Sequence, residues 1–361
     1  MKIGIVGLPN VGKSTLFNAL TKNYGADAQN FPFCTIEPNV GIVNVHDERL
    51  EKIRVAVNGA KVIPANCEFT DIAGIVKGAS EGEWMGNKFL ANIRESDAIL
   101  QVVRIFQSKD IIHVHGEVNP KNDIEIINAE LILADIETLT KKIANDSRKA
   151  KSDKDLATKV ITLQKVLEEL EKWTLASSVA LTSEEQLHLN DSHLLTNKQF
   201  VYACNVSEEM MDASQEELKE ILWLTHQNVQ VVPICAKLEE DMIEMSEVEK
   251  KEFLDEMGLV STGLDNLIKA SYDALGLQYY FTAGEQEVRA WTIHKGDTAP
   301  QAAGVIHTDF EKGFIKADVV NWKDITEFGW WSKAREWWKV RLEWKDYIVQ
   351  DWDVMLFKFS K

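Results

Sequence analysis

A stretch near the start of the chain has the residue types and spacing of a phosphate-binding loop. It reads GLPNVGKS from Gly7 to Ser14 and satisfies the pattern G-x-x-x-x-G-K-S/T. In such a loop, backbone amides surround phosphates at a helix N-terminus, a lysine reaches the β- and γ-phosphates, and a hydroxyl binds Mg²⁺. Lys13 and Ser14 fit the last two roles, and Lys13 is predicted to be catalytic. The residues expected to contact a nucleotide here are Asn10, Val11, Gly12, Lys13, Ser14 and Thr15.

Two further positions fit a triphosphate site. The segment from Asp71 to Gly74 follows an apolar run and fits D-x-x-G, which senses the metal and the γ-phosphate. Thr35, in FPFCTIEPN, is the natural second hydroxyl for Mg²⁺ beside Ser14. Each short match is weak alone, and Asp71 could instead be a turn residue at the end of a strand. Their order after the phosphate-binding loop favours a nucleotide site that includes Asp71, Gly74 and Thr35.

The residue after Gly74 is Ile75, where Ras-like GTPases carry the glutamine that orients the attacking water. Because isoleucine cannot hydrogen-bond water, either turnover is slow or another polar group takes this role. The segment IIHVHG offers His113 and His115. A loop histidine more often makes an ordinary surface hydrogen bond, so the catalytic interpretation of His113 competes with a structural one.

The segment FVYACNVSE stands where a GTPase would carry Asn-Lys-x-Asp to hold guanine. The aspartate of that motif accepts hydrogen bonds from N1 and the 2-amino group of guanine, donors that adenine lacks. Here Val206 replaces the lysine, and Glu208 replaces the aspartate with one more methylene. The amide of Asn205 can still accept from N6 and donate to N7 of adenine, which favours ATP. The segment ICAKLE is expected to place Ala236 and Lys237 beside the base.

These motifs require a strand, a loop and a helix in succession. MKIGIV predicts a short strand that turns at Gly7 and becomes a helix after Lys13. Further apolar strands are predicted at Cys67–Thr70, Ala98–Val103, Phe200–Cys204 and Val229–Ile234. Helical stretches lie between several of them, so the sequence predicts an α/β fold with a mostly parallel sheet covered on both faces.

Between residues 125 and 196 apolar residues recur at helical spacing. Ile132, Ile136, Leu139 and Ile143 step by 4, 3 and 4, and Leu156, Val160, Leu163, Leu167 and Leu170 step by 4, 3, 4 and 3. Such spacing is typical of two helices packed on each other. An antiparallel hairpin with a turn region at 144–155 is therefore favoured over two ordinary surface helices.

After about residue 277 the pattern changes again. Short β-rich runs bounded by glycine and proline continue to the end of the sequence and predict a small α+β domain built mainly of strands. A chain of 361 residues is expected to form two or three domains.

The composition is ordinary for a soluble globular protein, with 45% hydrophobic and 27% charged residues. No apolar run of about 18 or more residues and no export leader is recognisable, so a cytoplasmic protein without membrane contact is expected. Cys34, Cys67, Cys204 and Cys235 show no zinc-ligand spacing and are expected to be reduced thiols.

Charge is distributed unevenly along the chain. The net charge of −17 disfavours a simple RNA-coating protein, yet residues 278–361 contain 12 Lys and Arg against 13 Asp and Glu. A local basic run comprises Lys333, Arg335, Lys339, Arg341 and Lys345. A solvated surface is the commoner interpretation of such a run, and a phosphate-facing patch is the sharper one.

Seven segments of the chain match one known family. They are GLPNVGKST, FPFCTIEPN, DIAGIVKGAS, GNKFLANIRE, NVSE, YYFTAGEQEVRAWTI and HTDFEKGFIKADV. With them the sequence resembles the YchF/Obg-like ATPases, P-loop proteins of the translation-factor class, over its whole length. The resemblance implies an OBG-type G domain at 1–124 and 199–277, an inserted coiled-coil hairpin at 125–198, and a C-terminal TGS domain with a β-grasp core at 278–361.

The resemblance also implies chemistry and partners. It implies Mg²⁺-dependent hydrolysis of ATP in preference to GTP, a hydrophobic residue, Ile75, at the glutamine position, and assistance from His113. It implies binding to the ribosome, both the large subunit and the assembled particle, with RNA contacts through the coiled coil and the TGS domain. The expected function is a nucleotide-gated switch in translation. An Obg-class GTPase with a degenerate base motif and a non-hydrolysing adaptor for RNA or protein remain alternatives.

Tryptophan is unusually placed for this family. Six of the eleven tryptophans fall between Trp330 and Lys361, and Trp84, Trp344 and Trp352 stand where the family has glycine. Trp352 lies in a D-x-D turn that is expected to need positive φ, where tryptophan is awkward. One hypothesis is that some of these residues are glycines encoded by a reassigned UGA codon. The alternative is genuine tryptophans that stack on RNA bases.

Overall fold

A computed structural model describes residues 1–24, 40–72, 84–107, 117–225 and 228–360, without the side chains of 84–88 and 247. Tertiary contacts divide the chain into two compact units. The first unit comprises Met1–Gly41 and Glu68–Ser271, and the second comprises Ile42–Cys67 and Tyr272–Lys361.

The described residues contain twelve strands. They are β1 (Lys2–Val6), β2 (Val40–Asn44), β3 (Val62–Ile63), β4 (Asn66–Asp71), β5 (Ala98–Arg104), β6 (Gln199–Asn205), β7 (Gln230–Ile234), β8 (Leu277–Ala283), β9 (Val288–His294), β10 (Phe314–Asn321), β11 (Arg341–Glu343) and β12 (Asp353–Phe359).

Fourteen α-helices lie in the same described ranges. They are α1 (Lys13–Tyr24), α2 (Glu48–Ala56), α3 (Trp84–Glu95), α4 (Pro120–Lys149), α5 (Lys154–Leu170), α6 (Ser183–Asn190), α7 (Gln215–Leu222), α8 (Ala236–Asp241), α9 (Glu247–Glu256), α10 (Gly263–Ala274), α11 (Ala299–Ile306), α12 (Thr308–Lys312), α13 (Trp322–Phe328) and α14 (Trp331–Glu336).

The first unit contains the parallel sheet that the apolar runs predict. Its strands follow the order β4-β1-β5-β6-β7, and each neighbouring pair is parallel. Every residue of β5 is buried, which explains why its sequence AILQVVR is almost continuously apolar. Because the strands are parallel, their carboxyl ends lie along one edge of the sheet, where ligands bind in open α/β sheets.

The predicted helical pair is present as α4 and α5. Asn119 caps α4 by accepting a hydrogen bond from the Asn122 amide at 3.1 Å, and Asp153 caps α5 by accepting one from the Leu156 amide at 3.1 Å. The connection is shorter than the predicted turn region at 144–155. α4 continues to Lys149, so only residues 150–153 link the two helices.

The apolar seam between the two helices is confirmed, and a third helix joins it. Ile132 and Leu139 of α4 pack with Leu163 and Leu170 of α5 in one buried cluster. Ile136, Ile143 and Leu167 pack against this cluster and are partly buried. Leu189 of α6 belongs to the same cluster, which makes the insertion a three-helix assembly rather than a bare hairpin.

The second unit includes residues that the sequence assigned to the nucleotide domain. Its mixed sheet has the order β11-β10-β12-β8-β9-β3. The short strand β3 pairs in parallel with β9, with Val62 opposite Val288 and Ile63 opposite Arg289. This long-range pairing places residues 42–67 with the C-terminal strands, which no local pattern indicates.

The basic run of the second unit is largely paired with acidic side chains of the same unit. Arg335 contacts Asp318, Lys339 contacts Asp324 at 3.0 Å, and Arg341 contacts Asp353 at 3.2 Å. These ion pairs support the interpretation as ordinary surface charges over a phosphate-facing patch.

The described cysteines are free and buried, as the sequence predicts for reduced thiols. Burial raises the pKa of the Cys67 thiol to about 12, which keeps it protonated at neutral pH. Cys34 lies outside the described residues. In the part of the chain that the structure describes, no helix combines the length and apolar character that crossing a bilayer requires.

Candidate nucleotide-binding site

The predicted phosphate-binding loop connects β1 to α1, and Lys13 is the first residue of the helix. Two loop residues adopt left-handed backbone conformations, Asn10 with φ 64° and Gly12 with φ 98°. A Cβ atom at Gly12 would lie 2.3 Å from Nδ2 of Asn205. Both the backbone conformation and the close approach therefore require glycine at this position.

The first glycine of the motif is required for a different reason. A Cβ atom at Gly7 would lie 2.9 Å from Cγ2 of Val11 and 3.0 Å from the backbone oxygen of Val102 in β5. The loop thus folds tightly against the neighbouring strand. Its backbone amides lie at the N-terminus of α1, a location that favours anions.

Lys13 and Asp71 meet although 58 residues separate them in sequence. Nζ of Lys13 donates to Oδ1 of Asp71, and both side chains are mostly buried. Asp71 ends β4, the strand that pairs with β1, so the parallel sheet brings the D-x-x-G aspartate to the phosphate-binding loop. This contact places two of the predicted nucleotide-binding residues in one site.

Asn205 connects the phosphate-binding loop to the segment after β7. Its Nδ2 donates to the backbone oxygen of Val11 at 2.9 Å, and its Oδ1 accepts from the backbone amide of Ala236 at 3.2 Å. Asn205 is only 6% exposed. A carboxamide carries two donor hydrogens and two acceptor lone pairs, so one of each remains for a base.

A cavity of about 680 Å³ opens beside this connection. The predicted residues that line it are Asn10, Gly12, Thr15, Asn205, Val206, Glu208, Ala236 and Lys237. The three sequence segments that were assigned to a nucleotide from separate motifs therefore surround one space.

Val206 and Glu208 differ in their exposure within this cavity. Val206 is 1% exposed, and its amide donates to the backbone oxygen of Ile234 at 2.9 Å. Glu208 begins a short 3-10 turn and is exposed. An exposed carboxylate at the rim can accept hydrogen bonds from a ligand without a large desolvation cost.

Phe106 also lines the cavity, and the sequence motifs did not identify it. It follows β5, and the guanidinium carbon of Arg104 lies 4.6 Å from the centroid of its ring. Nε of Arg104 donates to the backbone oxygen of Phe106 at 3.0 Å. The signal that could have found Phe106 is an aromatic residue just after a buried strand beside the phosphate-binding strand, at the edge where ligands bind.

Glu239 is a second residue that sequence reasoning missed. It is 1% exposed in α8, three residues after Ala236, and its Oε1 accepts from the Leu264 amide at 3.3 Å. Burial raises the pKa of this carboxyl group to about 7. A Cβ atom at Gly263 would lie 3.0 Å from the same Oε1, so glycine lets α10 begin close to this carboxyl group.

Several predicted residues lie outside the described part of the chain. These are Thr35, Gly74, Ile75, His113 and His115. Among described residues, no group of three or more His, Cys, Asp and Glu side chains is arranged to hold a metal ion. The predicted Mg²⁺ ligands are hydroxyls, and Ser14 lies exposed in the first turn of α1.

Two family models match the sequence. A model described as "50S ribosome-binding GTPase" matches residues 2–141. A model for the C-terminal part of YchF GTPases, described as a protein of unknown function, matches residues 277–360. The first match includes residues 42–67 of the second unit as well as residues of the first unit, and the second match covers most of the C-terminal part of the second unit.

Curated relatives match nearly the whole chain. "Ribosome-binding ATPase YchF" of Bacillus subtilis (strain 168) is 54% identical over 361 residues, which cover 99% of this chain and 98% of that protein. The protein of the same name in Escherichia coli O157:H7 is 49% identical and covers 99% of each chain.

Two solved structures are similar to this chain in their fold. The Schizosaccharomyces pombe YchF GTPase has a TM-score of 0.85 and 36% identity, covering 99% of this chain and 97% of that one. A GTP-binding protein of Pyrococcus horikoshii OT3 covers 100% of both chains with a TM-score of 0.62 and 21% identity, a similarity of fold alone.

Proposed function

This chain belongs to the YchF family, and on that premise we propose that it is a Mg²⁺-dependent ATPase that binds the ribosome and acts as a nucleotide-gated switch in translation. One observation carries the proposal. The phosphate-binding loop, Asp71 and the base segments at Asn205 and Ala236 surround one site in the first unit. Relatives at 49% and 54% identity are named ribosome-binding ATPases.

The residues present fit a triphosphate with its metal. Gly7 and Gly12 have no room for a Cβ atom, which lets the loop backbone approach phosphates closely. Lys13 has an anionic partner, Asp71, that the β- and γ-phosphates would replace. Ser14 and Thr35 would hold Mg²⁺, while Asp71 senses the metal. When bound, the metal neutralises charge that develops on the phosphates.

We propose that the base segments select adenine. Asn205 keeps one donor and one acceptor for the base, while Val206 and Glu208 replace the lysine and aspartate that read guanine. Ala236 and Lys237 flank the same cavity, and Phe106 offers an aromatic face to the ring. ATP is therefore expected to bind more tightly than GTP.

The water-orienting step is assigned to His113, because Ile75 cannot hydrogen-bond water. We expect His113→Ala to lower kcat by about 10²-fold or more while the Kd for ATP stays nearly unchanged. His115→Ala, two residues away, is the matched control and should keep kcat. Equal losses in both variants, or none in either, would remove the assignment to His113.

Ribosome binding is assigned to the two regions outside the nucleotide site. We propose that residues 125–198 form the coiled-coil hairpin and that 278–361 form the TGS domain, both in contact with ribosomal RNA or protein of the large subunit and the assembled ribosome. The buried seam from Ile132 to Leu170 supports a rigid helical insertion. The proposed G domain then comprises 1–124 and 199–277, and the proposed compartment is the cytoplasm.

A pair of measurements tests this function. Titration of ATP against GTP should give a lower Kd for ATP, and turnover should require Mg²⁺ and rise when ribosomes are added. Tighter binding of GTP would favour an Obg-class GTPase with a degenerate base motif. Nucleotide binding without turnover, even in the presence of ribosomes, would favour a non-hydrolysing adaptor. Ile75 is compatible with this alternative, because it cannot hydrogen-bond water.

A further inference from the structure

Three tryptophans occupy a backbone conformation that large side chains avoid. Trp173, Trp223 and Trp338 have φ values of 63°, 60° and 59°. The other described non-glycine residues with positive φ are Asn10, Asn58 and His193, which are residue types that tolerate this region. For L-residues the left-handed conformation costs about 1–2 kcal/mol, because Cβ approaches the following carbonyl oxygen.

The three tryptophans share one structural role, the C-terminal stop of a helix. After each of them, the next residue's amide bonds to the carbonyl oxygen five residues back. These bonds run from Thr174 to Glu169 at 3.0 Å, from Leu224 to Lys219 at 2.8 Å, and from Lys339 to Ala334 at 2.9 Å. The tryptophan amides bond three residues back, to Leu170, Glu220 and Arg335. This is the Schellman motif, in which the left-handed residue is usually glycine.

Gly258 provides an internal comparison. It has φ 69°, its amide bonds to Asp255, and the Leu259 amide bonds to the Leu254 oxygen at 2.9 Å. Apart from the glycine itself and its two chain neighbours, no atom lies within 4 Å of where its Cβ would stand. The motif at Gly258 therefore matches those at the three tryptophans in hydrogen bonding and in handedness.

The indole rings at these positions gain little from packing. Trp173, Trp223 and Trp338 are 60%, 71% and 93% exposed. Nζ of Lys121 lies 4.5 Å from the centroid of the Trp223 ring. A contact of this kind at an exposed site is worth about 0.5–1 kcal/mol, less than the upper cost of the backbone conformation.

Two other tryptophans behave as tryptophan normally does. Nε1 of Trp291 donates to Oγ1 of Thr282 at 2.9 Å, and the guanidinium of Arg289 lies 3.9 Å from its ring centroid. Trp331 is 6% exposed and donates to the backbone oxygen of Ala283 at 3.2 Å. Neither has positive φ. Trp291 and Trp331 thus differ physically from the three left-handed tryptophans.

We propose that positions 173, 223 and 338 are glycine in the protein that the source cell makes, and that their codons are UGA, read as glycine there and rendered as tryptophan in this sequence. Trp291 and Trp331 are genuine tryptophans encoded by UGG. Trp352 does not have the positive φ that the sequence predicted, and neither do Trp84 and Trp344. The proposal therefore concerns positions 173, 223 and 338 instead. The exposed rings at 173, 223 and 338 are accordingly not a surface for stacking on RNA bases.

Peptide mass spectrometry of the protein purified from its source cell tests the proposal directly. The expected result is the residue mass of glycine at 173, 223 and 338, and that of tryptophan at 291 and 331. Tryptophan mass at all three left-handed positions would overturn the proposal. The gene gives a parallel readout, since UGG codons at those three positions would overturn it equally.

A recombinant comparison tests the physical basis. Trp173→Gly, Trp223→Gly and Trp338→Gly are each expected to raise the folding equilibrium constant a few-fold, since relief of the left-handed strain exceeds the cost of glycine's extra freedom in the unfolded chain. Trp291→Gly should lower it, and so should Gly258→Trp, the converse control. A lower folding constant in all three glycine variants, or an unchanged one in Gly258→Trp, would contradict the argument.

Discussion

The nucleotide site and the second unit use their charged side chains differently. In the site, Lys13 and Asp71 pair beside the phosphate-binding loop, while Glu208 and Lys237 are exposed at the rim of the cavity. In the second unit, Arg49 contacts Asp47 at 2.8 Å and Asp351 at 3.1 Å, within one network of the fold.

Arg49 illustrates the second pattern most fully. Its guanidinium carbon lies 4.9 Å from the centroid of Phe281 and 5.4 Å from that of Tyr279, both in β8. Burial opposes its charged form, but hydrogen bonds to Asp47 and Asp351 outweigh burial and raise the pKa. This arginine ties residues 42–67 to the C-terminal strands.

In this protein the number and location of a cation's partners therefore indicate its role. A cation with several partners inside its own unit holds the fold, whereas a cation with one exchangeable partner beside a loop can accept a ligand.

Lys13→Ala should lower kcat for ATP by at least about 10²-fold and weaken nucleotide binding, because it removes the lysine expected at the β- and γ-phosphates. Because the substitution also removes the cation that pairs with the mostly buried Asp71, turnover is compared at temperatures below the unfolding midpoint of the variant. Lys22→Ala, in the last turn of the same helix, is the matched control and should keep wild-type turnover. Wild-type turnover in Lys13→Ala would show that the loop does not bind phosphates.

Glu239→Gln should change how stability depends on pH. The carboxyl pKa rises from 4.5 to about 7 on folding, so the folded state binds more protons between these values and wild-type stability falls as pH rises through them. The fall amounts to about 3 kcal/mol at most. The variant should match the wild type near pH 4 and be more stable above pH 7, as measured by urea unfolding.

Glu240→Gln provides the control for this prediction, since Glu240 is adjacent and exposed. It should keep the wild-type slope of stability against pH. If Glu239→Gln also keeps the wild-type slope, the pKa of Glu239 does not change on folding. Glu239 also shows that the unit with the nucleotide site contains a buried ionisable side chain that supports the fold.

Arg49→Ala should lower the free energy of unfolding by about 2 kcal/mol, because it removes the guanidinium that pairs with the carboxylate of Asp47, whose side chain is 8% exposed. At temperatures below the unfolding midpoint, kcat should stay near the wild-type value. Arg54→Ala on the same helix removes an exposed ion pair with Glu51 and a hydrogen bond to the backbone oxygen of Gly59, and it should lower stability less than Arg49→Ala does. Equal losses in the two variants would contradict a structural role specific to Arg49.

The paired substitution Val206→Lys and Glu208→Asp should shift binding toward GTP by about tenfold, or about 1.4 kcal/mol, because aspartate can accept from N1 and the 2-amino group of guanine. Glu209→Asp, at a neighbouring residue that lines the same cavity, is the control and should leave the ratio of the two Kd values unchanged. If the paired variant also leaves it unchanged, the backbone around Ala236 sets selectivity.

Local patterns predicted much of the first unit. The loop at Gly7–Ser14 follows β1, and the predicted strands end within about one residue of their predicted limits. The predicted seam residues of α4 and α5 other than Leu156 and Val160 pack in or against one buried cluster. These features depend on neighbours three to eight residues apart, so the periodicity of the chain contains the necessary information. The turn at 144–155 was placed too broadly because polar residues also continue an exposed helix.

The amino-acid sequence alone predicted a phosphate-binding loop and the parallel strands around it, because both predictions follow from residue type and short spacing. Long-range packing, in contrast, places Asn205 between Val11 and Ala236, Phe106 at the cavity, and residues 42–67 in the second unit. It also gives Arg335, Lys339 and Arg341 their acidic partners. Those outcomes depend on contacts between distant parts of the chain, and no local pattern encodes which partners meet.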